Sequence, residues 1–336
     1  MKLGFSFIFV VIGLIFPVAG LNAQILGSTG GGWSMRGTDP IEIYFGDKLV
    51  TNYHAGYEEG KPYFYPIMGP AGVNMVRDRP GKEGAKGEGA DRSLLHGMWY
   101  GLSNVNGFDF WDFTGDRSPS EKDMAVGIIR HKGMNGVMIK GPTITFKTKS
   151  DWLEAADPVR RICSDQREFT LFYREDGSLV IDLTLTLIAD AGDITIGDQV
   201  EGGWAIRTIF PLPLKEAGAK GHMINREGLT DAEAPGKRSA WLDTSGIDRA
   251  GNTVGIAMLD HPSNFRHPAL WYAGDQGVFG ANSFGHGDVE EVASDNAGEK
   301  VIPNGESLIF RHRTIFHQGD ATAAGIAKAF TAYSSK

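Results

Sequence analysis

The chain has 336 residues, of which 41% are hydrophobic, and a formal net charge of −8. This length and composition suit one large globular domain or two ordinary ones with a sizeable core. The acidic balance argues against nucleic acid as a partner, because a phosphate backbone requires clustered Lys and Arg, and we find no such cluster in the sequence.

The N-terminus has the pattern of an export signal. Lys2 is followed by an almost wholly apolar run, Leu3–Val18, and then by small residues that include Gly20 and Ala23. We therefore predict a signal peptide at residues 1–23 and an exported, periplasmic or extracellular protein that has no membrane contact after cleavage. A single-span anchor is the alternative, but the apolar run is short for one and no cationic cluster follows it.

Glycine and serine are frequent in residues 24–37, which predicts a flexible linker, and residues 38–336 are predicted to form a single domain. The one cysteine, Cys163, has no second cysteine with which to form an intramolecular disulfide. The stability of the domain must therefore come from its core.

Most of the domain alternates apolar and polar residues with the period of two that is typical of β-strands. Residues 41–55 have the pattern of a hairpin that turns at Gly46 and Asp47. The alternation recurs through residues 127–188 and is clearest at 179–187, where leucines and Ile181 share one face. Frequent glycines separate these segments, as turns do.

Helical patterns are rare. Residues 151–162 suit a short helix, and residues 321–333 place Ile326, Phe330 and Tyr333 at helical spacing. We therefore predict an all-β fold, a large antiparallel β-sandwich with a short C-terminal helix. A galactose-mutarotase-like supersandwich is one version of this architecture.

Residues 94–113 combine aromatic side chains with amides and carboxylates. Such a set is typical of a sugar-binding surface, because a pyranose offers an apolar face for stacking and a rim of hydroxyls for hydrogen bonds. The alternative is a hairpin whose tryptophans belong to the core. A glycine-rich and highly polar loop, residues 78–91, precedes this stretch.

Polar groups able to bind or react are densest between Asp260 and His286. Three of the nine histidines fall here, and prolines and glycines predict loop with short extended pieces. Loops of this composition carry function when a rigid scaffold holds them. The alternative is a hydrogen-bonded structural loop in which His and Asn side chains cap turns.

Several blocks resemble a known family: GKRSAWLDTSG, VGIAMLDHPSNFRHPALWYAGDQGVFGANSFG and NGESLIFRHRTIFHQGDA, together with YPIMGPAG and NVNGFDFW. They are similar to the PmoA-like family of exported bacterial proteins, often labelled methane oxygenase PmoA, over residues 41–333. The resemblance implies a role in carbohydrate catabolism. It does not imply the membrane methane monooxygenase subunit of that name, a bundle of spanning helices, because this chain has one apolar segment.

The sequence departs from that family at one motif. Members carry D-H-P-H-H-R-x-L-W, whereas residues 91–99 read DRSLLHGMW, so that Arg92, Leu94 and Leu95 replace histidines and His96 replaces the arginine. If those histidines act as ligands or acid–base groups in relatives, the change implies altered chemistry in this protein.

The first functional hypothesis is a carbohydrate-active hydrolase, lyase or epimerase that uses acid–base chemistry in a pocket of strand-end loops. We predict His261 and His267 as acid–base groups, Glu201 or Asp260 as the carboxylate, and Arg266 and Lys237 as electrostatic stabilisers. The predicted substrate-binding residues are Trp99, Asn106, Asp109, Trp241, Asn264, Trp271 and Asn282. The hypothesis requires the central loop around His267 to share a cavity with the stretch around Trp99.

Two other hypotheses remain open. One is a sugar-binding module without catalysis, which needs the aromatics and amides alone. The other is a metal site built from the central histidines and His96, as a metal-dependent oxygenase would need, although their spacing matches no standard signature. We predict no bound cofactor or metal, and the sequence contains no dinucleotide or phosphate-loop motif.

Overall fold

The computed structural model describes residues 32–55, 60–77, 97–111, 124–209, 212, 220–248, 250–273, 277–287 and 298–335. The predicted signal peptide, the polar loop at 78–91 and His96 lie outside these residues. The elements, in chain order, are β1 (Trp33–Arg36), β2 (Ile41–Phe45), β3 (Lys48–His54), β4 (Tyr63–Ile67), β5 (Met98–Leu102), β6 (Phe108–Asp109), β7 (Ala125–Lys140), β8 (Thr143–Glu154), β9 (Arg161–Tyr173), β10 (Leu179–Ile188), β11 (Ile194–Ile196), β12 (Gly202–Arg207), β13 (His222–Asn225), β14 (Trp241–Ile247), β15 (Thr253–Asp260), β16 (Leu270–Ala273), β17 (Val278–Asn282), β18 (Lys300–Ile302), β19 (Ser307–Gln318) and the helix α1 (Ile326–Ser334).

Two large sheets face each other. The eight-stranded sheet has the order β1-β2-β3-β4-β5-β12-β17-β16, and the nine-stranded sheet has the order β13-β14-β15-β19-β10-β9-β8-β7-β6. Neighbours within both pair antiparallel, except that β6 runs parallel to β7. A two-stranded pair, β11 and β18, completes the described strands.

The core lies between the two sheets. The rings of Phe64 and Phe169 meet edge to face at 4.9 Å, and Nε1 of Trp204 on β12 donates a hydrogen bond of 2.9 Å to Oγ1 of Thr314 on β19. These contacts identify the inner face of the eight-stranded sheet. We call its opposite face the outer face.

Strand alternation in β10 follows the predicted pattern. Leu183, Leu185 and Leu187 are buried, while Asp182 and Thr184 between them are partly exposed. Each leucine side chain removed from water contributes about 1.5–3 kcal/mol relative to leaving it exposed. The apolar set of this strand therefore anchors the nine-stranded sheet to the core.

Helix α1 covers the far side of the nine-stranded sheet. Ile326, Phe330 and Tyr333 are buried there against Trp241 and Ile315. Their spacing puts them on one face of the helix. Packing of that face against the sheet stabilises a helix that is too short to be stable alone. No helix of the described residues is long and apolar enough to span a membrane.

The predicted all-β class, the antiparallel sandwich and the C-terminal helix are confirmed, as is the hairpin that β2 and β3 form. The helix predicted at residues 151–162 is wrong. Trp152 is a core residue at the end of β8 and pairs with Cys163 on β9, so that a loop joins two strands there. The last residues of the predicted linker form a strand: β1 lies within residues 24–37, and its Trp33 packs against Phe45 and Tyr173.

Candidate functional site

The outer face of the eight-stranded sheet carries a row of residues contributed by five neighbouring strands. Antiparallel pairing aligns Tyr63, Trp99, Ala205, Gly280 and Tyr272 across β4, β5, β12, β17 and β16. Residues directly opposite each other in a sheet point to the same side. Trp204, the neighbour of Ala205, points to the inner face, so this row lies on the outer one.

Small residues on this face of the sheet leave room for aromatic side chains. A methyl group on Gly280 would lie 2.7 Å from the Tyr272 hydroxyl, and one on Gly101 would lie 3.4 Å from the Trp111 ring. Both rings therefore rest on the backbone of the sheet. Glycine in a strand often marks such a close approach.

Two tryptophans lie side by side on the outer face. The ring centroids of Trp99 and Trp111 are 5.1 Å apart, and Tyr272 meets Trp111 edge to face at 5.9 Å. Both indoles are 1% exposed, and among the described residues neither Nε1 has a hydrogen-bond acceptor. A buried donor without an acceptor costs about 1–3 kcal/mol. Each such buried donor requires an explanation, and a bound acceptor is one.

Three cationic side chains are buried on the same face of the sheet, and one of them, Lys61, lies beside these rings. Lys61 is 3% exposed, donates from Nζ to the carbonyl oxygen of Trp111 at 2.6 Å, and lies 5.7 Å from the Trp99 ring. Arg77 and Arg207 are 1% and 2% exposed. We call Lys61, Arg77, Trp99, Trp111, Arg207 and Tyr272 the outer-face cluster.

A second polar cluster surrounds Asp260 at the end of β15. The carboxylate is completely buried and accepts hydrogen bonds from Nδ1 of His267 at 2.7 Å, from the backbone nitrogen of Ala269 at 2.9 Å and from Nδ2 of Asn264 at 2.6 Å. Because Nδ1 donates to the carboxylate, Nε2 carries the lone pair of the neutral ring. The His267 side chain is 18% exposed and is parallel to the Phe330 ring.

Two further histidines lie close to Asp260. Nδ1 of His312 is 3.7 Å from Oδ1 of Asp260, and burial lowers the pKa of His312 to about 4. Burial, followed by the charge of Arg311, also lowers the pKa of His261, whose Nδ1 is bonded to Ser263 at 2.8 Å. Burial therefore disfavours the charged form of both rings.

Four predicted residues are held in structural bonds. Trp271 is completely buried and donates to the carbonyl oxygen of Ser239, and Nδ2 of Asn282 donates to the carbonyl oxygen of Gln199. Asn106 has a φ of 52° and bonds the backbone near β11, at Asp193 and Thr195. Arg266, with a φ of 56°, donates to the carbonyl oxygens of Gly298 and Glu299.

The remaining predicted residues are spread over the fold. Asp109 is buried beside the outer-face cluster and accepts from the backbone nitrogen of Trp111 at 2.7 Å. Trp241 is buried under α1, Lys237 is exposed, and Glu201 is half-buried. Of the predicted set, Trp99 and Asp109 thus lie at the outer-face cluster, whereas Asp260, Asn264 and His267 lie in the second.

The predicted common cavity stays a prediction. Among the described residues, no hydrogen bond or ring contact joins His267 to Trp99 or Asn106. The described ranges also contain no group of three His, Cys, Asp or Glu residues placed to hold a metal ion.

Sequence reasoning missed Lys61, Arg77, Arg207 and Tyr272. Arg207 could have been found from the sequence. It ends the otherwise apolar run GGWAIR, so its charged side chain is expected to be buried together with that strand, which is unusual for arginine. The position of Lys61 before the aromatic strand β4 was a weaker signal of the same kind.

The chain belongs to DUF6807, a family of unknown function, whose model matches residues 40–331. This match overturns the resemblance to the PmoA-like family, which was wrong. No curated protein matches the chain.

Two solved structures are similar in overall trace. One is the Slr1438 protein from Synechocystis sp. PCC 6803, with 10% identity, coverage of 80% of this chain and 93% of the other, and a TM-score of 0.36. The second is the GalM/aldose epimerase homologue from C. elegans, with 7% identity, coverage of 86% and 96%, and a TM-score of 0.33.

Proposed function

We propose that this DUF6807 protein binds a carbohydrate at the outer-face cluster. The observation that carries the proposal is the pair of buried indole N–H groups of Trp99 and Trp111, which have no acceptor among the described residues. Hydroxyl and ring oxygens of a sugar accept hydrogen bonds, and the apolar face of a sugar ring packs on an aromatic ring.

The arrangement of the cluster supports a sugar better than an apolar ligand. An apolar ligand would leave both N–H groups buried and unsatisfied, at a cost of about 1–3 kcal/mol each. A sugar would satisfy them and would place its C–H face against Trp99, Trp111 or Tyr272.

Isothermal titration calorimetry with a panel of neutral and acidic monosaccharides tests the proposal. Trp99→Phe and Trp111→Phe each remove one N–H group but keep an aromatic ring, so we expect each to weaken binding about tenfold, as the loss of one hydrogen bond of roughly 1.4 kcal/mol does. Trp33→Phe is the matched control, because the Trp33 indole donates to the carbonyl oxygen of Pro142 away from this cluster.

Two results would contradict carbohydrate binding at this face. The first is a folded wild-type protein that binds no sugar of the panel. The second is unchanged affinity in both tryptophan variants, which would show that the sugar binds at another place on the protein.

Acid–base catalysis at His267 is a second candidate function, favoured by one observation. The buried carboxylate of Asp260 fixes the ring through Nδ1 and leaves Nε2 to exchange a proton with a substrate. Deuterium incorporation into aldoses and keto-sugars in D₂O, followed by NMR, tests it. We expect exchange with the wild type and with the control His222→Gln, an exposed histidine, and none with His267→Gln. Equal exchange in all three would remove this function.

A further inference from the structure

We propose that His261 and His267 act together on an α-hydroxycarbonyl compound, such as the open-chain form of an aldose or a ketose. His267 is the base that removes a proton next to the carbonyl group, and His261 is the donor that binds the carbonyl oxygen. The inference rests on the candidate acid–base function of His267 and adds to it a second catalytic residue and a substrate class. It follows from the tautomers that hydrogen bonds impose on the two rings.

The tautomer of His261 is fixed through its Nδ1 atom. The backbone nitrogen of Ser263 donates to Nδ1 at 3.1 Å, and a backbone N–H group can only donate, so Nδ1 accepts and Nε2 carries the ring hydrogen. The hydroxyl oxygen of Ser263 accepts from Nη1 of Arg311 at 2.9 Å and lies 2.8 Å from Nδ1, which leaves the hydroxyl hydrogen to point at the ring. Protonation of Nδ1 would break both bonds to the ring, so this arrangement favours neutral His261.

His267 has the opposite tautomer. Its Nδ1 atom donates to the buried carboxylate of Asp260, so the lone pair of the neutral ring lies on Nε2. Among the described residues neither Nε2 atom has a hydrogen-bond partner, and neither is one of the buried polar atoms that lack a partner, so both face solvent. The two rings therefore offer a ligand one N–H donor, on His261, and one acceptor, on His267.

The two imidazoles lie close together against one face of α1. The backbone nitrogen of Asn264 donates to the carbonyl oxygen of His261, and that of His267 donates to Asn264, so two successive turns separate the histidines. His261 meets the Tyr333 ring edge to face at 5.1 Å, and His267 is parallel to the Phe330 ring at 6.5 Å. Helical residues three apart are neighbours, with about 5–6 Å between their Cβ atoms. The rings that hold the two histidines are thus one helical turn apart.

An α-hydroxycarbonyl compound matches this donor and acceptor. Nε2 of His267 takes the proton from the carbon that carries the hydroxyl group beside the carbonyl. The electron pair of that C–H bond forms a C=C bond, and the π electrons of the carbonyl move onto its oxygen. Nε2–H of His261 donates to this oxygen as negative charge develops there, a role that a neutral imidazole can perform. Return of the proton to carbon restores the compound, so the step needs no oxidant or reductant.

Nitrogen-15 NMR of the wild-type protein tests the tautomers without a substrate. Spectra that correlate ring nitrogens with ring C–H protons distinguish a protonated nitrogen from an unprotonated one, and the signals lost in His261→Phe and His267→Gln assign the two rings. We expect the hydrogen on Nε2 of His261 and on Nδ1 of His267. A hydrogen on Nδ1 of His261 would overturn the proposal, because Nε2 would then be an acceptor.

Deuterium incorporation into dihydroxyacetone in D₂O, measured above the rate without protein, tests the two roles. His261→Phe keeps a ring against Tyr333 but has no donor, so we expect exchange to be about a hundredfold slower, a usual cost of losing a donor to a developing oxyanion. His261→Gln keeps an N–H donor and should lose less. His222→Gln changes an exposed histidine and should keep the wild-type rate. Methyl β-D-glucopyranoside, which has no carbonyl group, should not exchange.

The outcomes separate this inference from the function on which it rests. Exchange that His267→Gln abolishes but His261→Phe leaves unchanged would overturn the role of His261 and keep His267 as the base. Absence of exchange with folded wild type would remove both, and carbohydrate binding at the outer-face cluster would be unaffected. Slow exchange in His261→Phe, with partial retention in His261→Gln, would support the pair. If His261→Phe does not fold, the wild-type tautomers and the rate of His261→Gln still decide the question.

Discussion

Nε2 of His317 donates a hydrogen bond of 2.6 Å to Oδ2 of Asp243, and both side chains are completely buried. The pair joins β19 to β14 across β15. Gly255 on β15 lies against the imidazole, and a methyl group there would overlap Cε1 of His317. The glycine thus provides the space that the buried pair occupies.

Gly255→Ala should destabilise the protein by about 1–3 kcal/mol, the usual cost of overpacking a core. The ring cannot move away without giving up its bond to Asp243. Urea unfolding of Gly255→Ala, His317→Ala and the double variant measures the coupling. We expect Gly255→Ala to cost much less in the His317→Ala background. An equal cost in both backgrounds would show that the imidazole is not the obstacle.

Stability should fall with acid because of His312. Burial lowers its pKa in the folded protein to about 4, whereas an unfolded histidine titrates near 6.5. Between these values the unfolded chain binds the extra proton, so the free energy of unfolding decreases as pH falls through this window. Between pH 6.5 and 5 the loss from this group is about 2 kcal/mol.

The matched comparison uses urea unfolding at pH 7 and pH 5. His312→Gln should show a smaller loss than the wild type, by about 2 kcal/mol. His222→Gln, which changes an exposed histidine, should keep the wild-type loss. If His312→Gln loses as much stability as the wild type, another group determines the acid dependence.

The strands and α1 were predictable because their signals are local. In β10 one face is buried and the other is partly exposed, so alternation along the sequence reports the structure. The outer-face cluster was harder to predict. β5 and β12 are buried along their whole length, and a strand covered on both sides does not alternate. MWYGL and GGWAIR therefore do not reveal which side chains share a face.

Contacts between strands that are distant in sequence could not be predicted either. Asp260 and His267 lie seven residues apart and fell within one predicted stretch. His312 reaches Asp260 only because β15 pairs with β19, a register that no local pattern gives. Composition likewise did not separate Trp271, on the inner face of the sheet, from Trp99, on the outer face, since both are buried.

Asp260→Asn should cost about 1–3 kcal/mol. The carboxylate of Asp260 accepts hydrogen bonds from Asn264, His267 and Ala269. An asparagine has only one oxygen, so its N–H₂ group would face at least one of these donors and that hydrogen bond would be lost. Asp176→Asn is the control, since Asp176 lies in an exposed turn where an asparagine can accept from the backbone nitrogen of Ser178 in the same way. Urea unfolding should separate the two variants. Equal stability would mean that the amide is accommodated at Asp260.

Phe330→Ala should be among the most destabilising changes in α1. The ring is 7% exposed, packs in the cluster that covers the far side of the nine-stranded sheet, and lies parallel to His267. Truncating a buried phenylalanine to alanine costs about 3–5 kcal/mol, because transfer free energy is lost and a cavity remains. Lys328→Ala, on the exposed side of the same helix, should stay within about 0.5 kcal/mol of the wild type. Thermal and urea unfolding measure both, and a loss below about 1 kcal/mol for Phe330→Ala would mean that α1 is not needed to cover the sheet.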